Sequence, residues 1–266
     1  MRIITKIKCK QIIAASKRQN KKWKNEIVIG KLHLMYRTSD AGYPKDKPGY
    51  IGNINCLRNA LLRFPTKDVD WHIMCDNCSE KTMTEIYNLT DRFGVNRNQI
   101  YIEHIGHGAG TFRKMYEKAL KFEPNDVVYF LENDYIHRKG SYEALINAFK
   151  IGDFVDYVTL YDHPDKYEKD YIFNSLLKSR IFYDGHDFWR TTPNTTMTLA
   201  AKVSTLIADK NKFWKWTNTK HPYDYLIFID LLNRTMISPI PGYSTHGETR
   251  WLSPKIDWEK EASLEE

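Results

Sequence analysis

Along the chain, short apolar runs alternate with stretches whose hydrophobic positions recur every three or four residues. KLHLMY (31–36), VDWHIMC (69–75), QIYIEHI (99–105), DVVYFLE (126–132) and FVDYVTLY (154–161) read as strands bounded by polar and turn-forming residues. Between them, NINCLRNALLRF (53–64), EKTMTEIYNLTDRFG (80–94), TFRKMYEKALKF (111–122) and SYEALINAFK (141–150) carry the helical period. Glycines and prolines punctuate the joints, among them Pro48, Gly49, Pro65, Gly94 and Gly140. Strictly alternating strands and helices imply an α/β fold with a mainly parallel central sheet flanked by helices. Beyond residue 162 the regularity gives way to a polar, aromatic stretch. A helical pattern returns at 223–234, before the loop ISPIPGYSTHGETRWLSP, and this part reads as an elaboration of the same sheet within one domain.

Composition narrows the class. With 42% hydrophobic, 14% aromatic and 27% charged residues in 266, the chain is long enough to bury a large core and too apolar to be globally disordered. No apolar run approaches the roughly 20 residues that cross a bilayer, and charges break up the first 24 residues, which therefore lack a secretory apolar region. A cytoplasmic protein is the expectation. Four cysteines do not make a disulfide framework in a chain of this length, and the Cys75–Cys78 pair has no second pair to complete a zinc site, so reduced thiols are expected.

The net charge of +7 is misleading until it is located. Residues 1–26 hold nine basic side chains against Glu26, a sum of +8, so the remaining 240 residues carry about −1. The basic character belongs to an extension (1–30), which excludes a nucleic-acid-binding body. That extension is either a solvated segment or, through Ile3, Ile4, Ile7 and Trp23, a peripheral contact with an anionic membrane.

Ligands of open parallel sheets bind outside the carboxyl ends of the strands, and those ends are acidic here. One run finishes in Asp76 and Asn77, another in Glu132, Asn133 and Asp134. Two separated strands thereby bring carboxylates to one edge, the donor chemistry of a hard divalent cation such as Mg²⁺ or Mn²⁺ bound together with phosphate oxygens. The same acids also suit an ordinary acidic turn. Gly106, Gly108 and Gly110 lead into a helix with Arg113 in its first turn, either an anion site or a plain flexible turn. His246 adds an imidazole in a late loop, a metal ligand or a surface residue. Asp224 precedes an apolar helix, as a cap or a general base. Asp162 and His163 follow another apolar run, and either line a ligand pocket or form a solvated turn.

Taken in order along the chain, these pieces resemble the GT-A fold glycosyltransferases of family-2 type, which use nucleoside-diphosphate sugars; the likeness runs from about Lys31 to about Trp258. The resemblance implies a Rossmann-like GT-A domain over 31–258 with a tail at 259–266. It implies that Tyr36, Arg37, Thr38 and Asp76 hold the nucleoside, with Asn77, Arg113, Glu132 and Asn133 completing the donor site. FLENDY (130–135) is similar to the family's DxD element, with Glu132 at the first acid and Asp134 facing a Mn²⁺ or Mg²⁺ ion. His246 matches the late histidine on metal or diphosphate, and Asp224 in PYDYL matches the base, with Tyr223 in place of the usual first acid. The implied reaction moves a sugar from the nucleotide donor to a glycan or other hydroxyl acceptor with inversion. Two rival expectations remain: a sugar-phosphate nucleotidyltransferase, whose Gly-rich basic loop after the first strand RTSDAGYPKDKPGY matches poorly, and a non-enzymatic adaptor working through residues 1–26.

Overall fold

The computed structural model describes residues 27–41, 45–168 and 178–263; the basic extension 1–26, with its membrane reading, lies outside them. The first half alternates as its pattern predicts. β1 (Leu32–Ser39) is followed by α1 (Asn53–Arg63), β2 (Val69–Asp76), α2 (Glu80–Arg92), β3 (Ile100–Glu103), α3 (Gly108–Ala119) and β4 (Val127–Glu132). After β5 (Tyr135–His137) and α4 (Ser141–Ala148) the strands shorten: β6 (Tyr157–Val158), β7 (Ile181–Tyr183), β8 (Phe188–Thr191) and β9 (Leu199–Lys202). Then come α5 (Val203–Trp216), α6 (Asp224–Asp230), β10 (Met236–Ile240), β11 (Ser244–His246) and α7 (Trp258–Ser263).

Nine strands form one sheet in the order β3-β2-β1-β4-β9-β6-β10-β8-β7, and β5 and β11 form a separate ribbon. β3, β2, β1 and β4 are mutually parallel; β9 runs against both β4 and β6, β10 is parallel to β6, and β8 and β7 complete an antiparallel edge. The sheet is therefore parallel through its first half and mixed beyond it. Of FVDYVTLY, expected to be a full strand, only Tyr157–Val158 forms one, and Tyr161 adds an isolated parallel bridge to Ser244.

Side chains alternate across the sheet, and the two faces carry two separate cores. Leu32, Leu34 and Tyr36 of β1 pack with Trp71, Ile73 and Cys75 of β2 and with Val127, Tyr129 and Leu131 of β4. Against this face lie Leu57, Ala60 and Leu61 of α1, Ile86 of α2 and Leu145 of α4, and the i, i+3, i+4 spacing in α1 makes its apolar stripe. Met35, Met74, Val128 and Phe130 point the other way and meet Phe112, Met115 and Tyr116 of α3, Leu206 and Phe213 of α5, and Phe228 of α6. Both faces are covered, as a parallel sheet requires. A smaller cluster of Cys56, Ile136, Trp258 and Ala262 seats α7 beside α1 and β5. Cys56, Cys75 and Cys78 are free thiols. Among the described residues no helix is long and apolar enough to cross a membrane.

Candidate active site

Parallel register lines up the carboxyl ends of the central strands. Ser39 lies beside Asp76, Asp76 beside Glu103, and Arg37 beside Glu132. The acids of β2 and β4 therefore share one edge, and alternation decides which neighbours join them. Arg37, Asp76 and Glu132 fall on the α3 face of the sheet. Tyr36, one residue earlier, falls on the opposite face, where it is 1% exposed and packs against Trp71 with ring centroids 6.3 Å apart. Tyr36, expected to hold the nucleoside, instead turns its side chain into the core.

Arg37 organises one half of the edge. Its Nη1 donates to the Gly108 carbonyl at 2.7 Å, at the start of α3, and its Nη2 pairs with Glu132. Asp76, nearly buried, accepts from the amides of Ile105 at 2.7 Å and Gly106 at 2.9 Å, and so fixes the loop that enters α3. Asn77 takes a positive φ of 51° beside it, and its side-chain oxygen faces His104 Nδ1 at 3.2 Å. The glycines at the start of α3 do not leave a ring of open amides. His107 caps Gly110 N through Nδ1 at 3.0 Å, and Ala109 N donates to the Lys220 carbonyl. Gly110 is needed for this close turn, since a Cβ there would lie 2.5 Å from Ile105 Cγ2 and 2.6 Å from His107 Cε1. Arg113, expected at this anion site, points away: it donates to Thr217 Oγ1 at 2.9 Å and the Trp214 carbonyl at 2.6 Å, tying α3 to the end of α5.

The loop that holds Lys220 continues into α6 and places Asp224 near Glu132. Burial, reinforced by the Glu132 carboxylate, pushes the Asp224 pKa up, against the Tyr225 amide that donates to its Oδ1 at 2.7 Å. A carboxyl raised in this way is a better proton acceptor than an ordinary surface aspartate.

The other half of the edge is built by the β5–β11 ribbon, in which His246 pairs with Tyr135. This register brings His246 Nε2 to 3.3 Å from Asp134 Oδ2. Two lysines of the loop after β1, absent from the residues expected on sequence grounds, converge on the same oxygen: Lys45 Nζ at 3.1 Å and Lys47 Nζ at 3.4 Å, with Lys45 also 3.2 Å from His246 Nε2. Burial alone would raise the Asp134 pKa, but the His246 contact and the two ammonium groups hold it well below the usual carboxylate range. Between the halves, Asn133 Nδ2 bridges Thr38 Oγ1 at 3.3 Å and Asn53, whose own amide reaches the Ser39 carbonyl at 3.1 Å. Asp162, by contrast, is not in a solvated turn: it is 1% exposed and accepts from Arg190 Nη2 at 2.6 Å.

A carboxylate and an imidazole are donor types that ligate divalent ions. Asp134 Oδ2 and His246 Nε2 stand close to the roughly 3 Å that separates adjacent ligands in one coordination sphere with bonds near 2.1 Å. The ammonium of Lys45 lies 3.1 Å and 3.2 Å from the same two atoms and takes the place between them, so an ion bound by both would have to displace it.

No protein-family model matches the chain, and no curated protein matches it. Among solved structures, GalNAc-T7 in complex with UDP, GalNAc and Mn²⁺ is similar with a TM-score of 0.50 at 9% identity, over 86% of this chain and 46% of that one. The mannosyltransferase PcManGT from Pyrobaculum calidifontis, in complex with GDP-Man and Mn²⁺, gives a TM-score of 0.47 at 13% identity over 85% and 61% of the two chains. The galactosyltransferase LgtC, with donor and acceptor sugar analogs, gives 0.44 at 10% identity over 77% and 72%. The chain thus spans about half the length of GalNAc-T7 and about three fifths of the mannosyltransferase. At these identities the likeness is one of fold alone: the chain has a GT-A fold, shared with GalNAc-T7.

Proposed function

We propose that the protein is a glycosyltransferase that moves a sugar from a nucleoside diphosphate to an acceptor hydroxyl with inversion. The observation that carries this reading is the meeting of Asp134 and His246 at the strand edge that also holds the raised carboxyl of Asp224. In this reading Asp76, Thr38 and Asn133 shape the nucleoside side of the edge. Arg37 holds Glu132 and the start of α3 in place, and Lys45 and Lys47 bind phosphate oxygens. Asp134 and His246 would hold Mn²⁺ or Mg²⁺, which supplies positive charge for the departing diphosphate. Asp224 takes the proton of the acceptor hydroxyl as it attacks C1 from the face opposite the leaving group.

The test is a panel of nucleotide sugars with Mn²⁺, read by thermal stabilisation and by slow donor hydrolysis. Stabilisation by at least one donor in the wild type, lost in Asp134→Ala, is expected. A panel without any response refutes the proposal. Lys45 and Lys47 favour one second reading, a sugar-phosphate nucleotidyltransferase, because they lie in the loop after β1 and reach Asp134. Pyrophosphate release from a nucleoside triphosphate and a sugar phosphate, with no transfer from nucleotide sugars, would select it.

A further inference from the structure

At the opposite, amino-terminal end of the same sheet face, His33 of β1 pairs in register with Asp70 of β2, and His72 lies two residues further along β2. Alternation sends all three side chains to the α3 face. His33 Nδ1 is 3.1 Å from Asp70 Oδ2 and 3.4 Å from His72 Nε2, and His72 Nε2 is 3.5 Å from Asp70 Oδ2. Tetrahedral zinc with bonds of 2.0–2.1 Å separates its donors by about 3.3 Å. The three atoms form a nearly equilateral triangle of that edge.

We propose that His33 Nδ1, Asp70 Oδ2 and His72 Nε2 bind a Zn²⁺ ion at this end of the sheet, in a site separate from the Asp134–His246 edge. Two imidazoles and one carboxylate are a zinc donor set that leaves a fourth position for water, which is reached past Asp70, the most exposed of the three side chains.

The surrounding contacts carry the inference beyond the triangle itself. Imidazole ligands of zinc are oriented by a partner on the other ring nitrogen, and here each ligand has one. His33 Nε2 contacts Asp126 Oδ2 at 3.0 Å, His72 Nδ1 contacts the Tyr101 hydroxyl at 3.1 Å, and Gln99 donates to Asp70 Oδ1. Asp126 is itself fixed by the Lys31 amide at 2.8 Å, and that approach needs Gly30, where a Cβ would lie 2.1 Å from Asp126 Oδ1. Phe122 stacks on His33 at 3.7 Å and holds the ring plane. Two cations face the triangle: Lys31, 3.6 Å from Asp70 Oδ2 on a largely exposed side chain that can swing away, and Lys118, which lies 4.0 Å over the Tyr101 ring beside His72. Bound zinc would join the first turns of β1 and β2 directly, and β4 through Asp126.

The test uses the full chain, stripped with a chelator and dialysed. Zinc binding by calorimetry and the visible spectrum of added Co²⁺ are measured in the wild type and in His72→Gln, Asp126→Asn and His246→Ala. One equivalent of Zn²⁺, a tetrahedral Co²⁺ spectrum and a higher melting temperature are expected. These should persist in His246→Ala and disappear in His72→Gln, while Asp126→Asn weakens binding 10- to 100-fold. Binding lost in His246→Ala but kept in His72→Gln would overturn the proposal. So would a wild type that gives no tetrahedral Co²⁺ spectrum, a result that stands even if His72→Gln fails to fold.

Discussion

Replacing Asp224 with asparagine separates catalysis from folding. Asparagine keeps the oxygen that accepts from the Tyr225 amide at 2.7 Å and gives up only the about 0.3–1 kcal/mol of a charge in the first turn, so α6 should still form. What disappears is the proton acceptor. Loss of a general base lowers turnover by about 10²- to 10⁴-fold, or about 2.7 to 5.4 kcal/mol of transition-state free energy. Stability should move the other way. The folded-state pKa of Asp224 is raised above its unfolded value, so its contribution is fully present below the unfolded pKa and is lost as pH rises through the folded one. At neutral pH the ionised group is a cost, and the variant should melt no lower than the wild type. The assay pairs kcat and donor affinity with thermal denaturation at neutral pH. Low turnover, intact donor binding and an unchanged or higher melting temperature are expected. An active Asp224→Asn enzyme would remove Asp224 from the chemistry, whatever its melting temperature. The pH profile adds a second handle. Glu132→Gln removes the charge beside Asp224 and releases Arg37, and both changes favour the ionised aspartate, so the acid limb of kcat/KM should shift to lower pH.

The remaining predictions concern the rest of the edge and its supports. Asp134→Ala should abolish metal-dependent donor binding, measured by calorimetry with Mn²⁺. It leaves His246, Lys45 and Lys47 facing one another, and urea denaturation should show a loss on the order of 3 kcal/mol. Because the Asp134 pKa is depressed, that stabilisation is present above its unfolded value and lost as pH falls through the folded one, so wild type and variant should converge in strong acid. Lys45→Ala separates the two cations of the site: donor affinity should fall about tenfold or more without Mn²⁺ and less with it, and equal losses would refute a phosphate role for the lysine. Gly110→Ala forces its methyl group against Ile105 and His107 and should cost about 1–3 kcal/mol in chemical denaturation.

The legible part of this fold is the part whose elements are long and apolar. β1, β2 and β4 are six to eight residues long, and the helices between them keep their period, so pattern and structure coincide. β6 pairs through only two residues, β5 and β11 through three each, and β11 reads Ser-Thr-His, which no hydrophobic alternation can flag. β6 exists because β9 and β10 offer partners, a tertiary cause that local sequence does not carry. The same division runs through the site. Asp134, His246 and Asp224 stand out by residue type and position. Lys45 and Lys47 do not, because their role depends on a loop folding back over the edge. Arg113 misleads because helical phase, not proximity to the glycines, sends it toward α5. The His33–Asp70–His72 triangle follows from the Asp-Trp-His alternation of β2 only once a histidine on β1 is known to be in register with it.

The β5–β11 ribbon gives the molecule an order of assembly. Asp134 lies at the middle of the 266-residue sequence, just past the end of β4, but its imidazole partner is delivered only by β11. Domains begin to fold during synthesis from the N-terminal side, so β1 to β4 can pair while the later chain is still emerging. An incomplete chain ending before Ser244 would therefore carry the sheet without the Asp134–His246 contact.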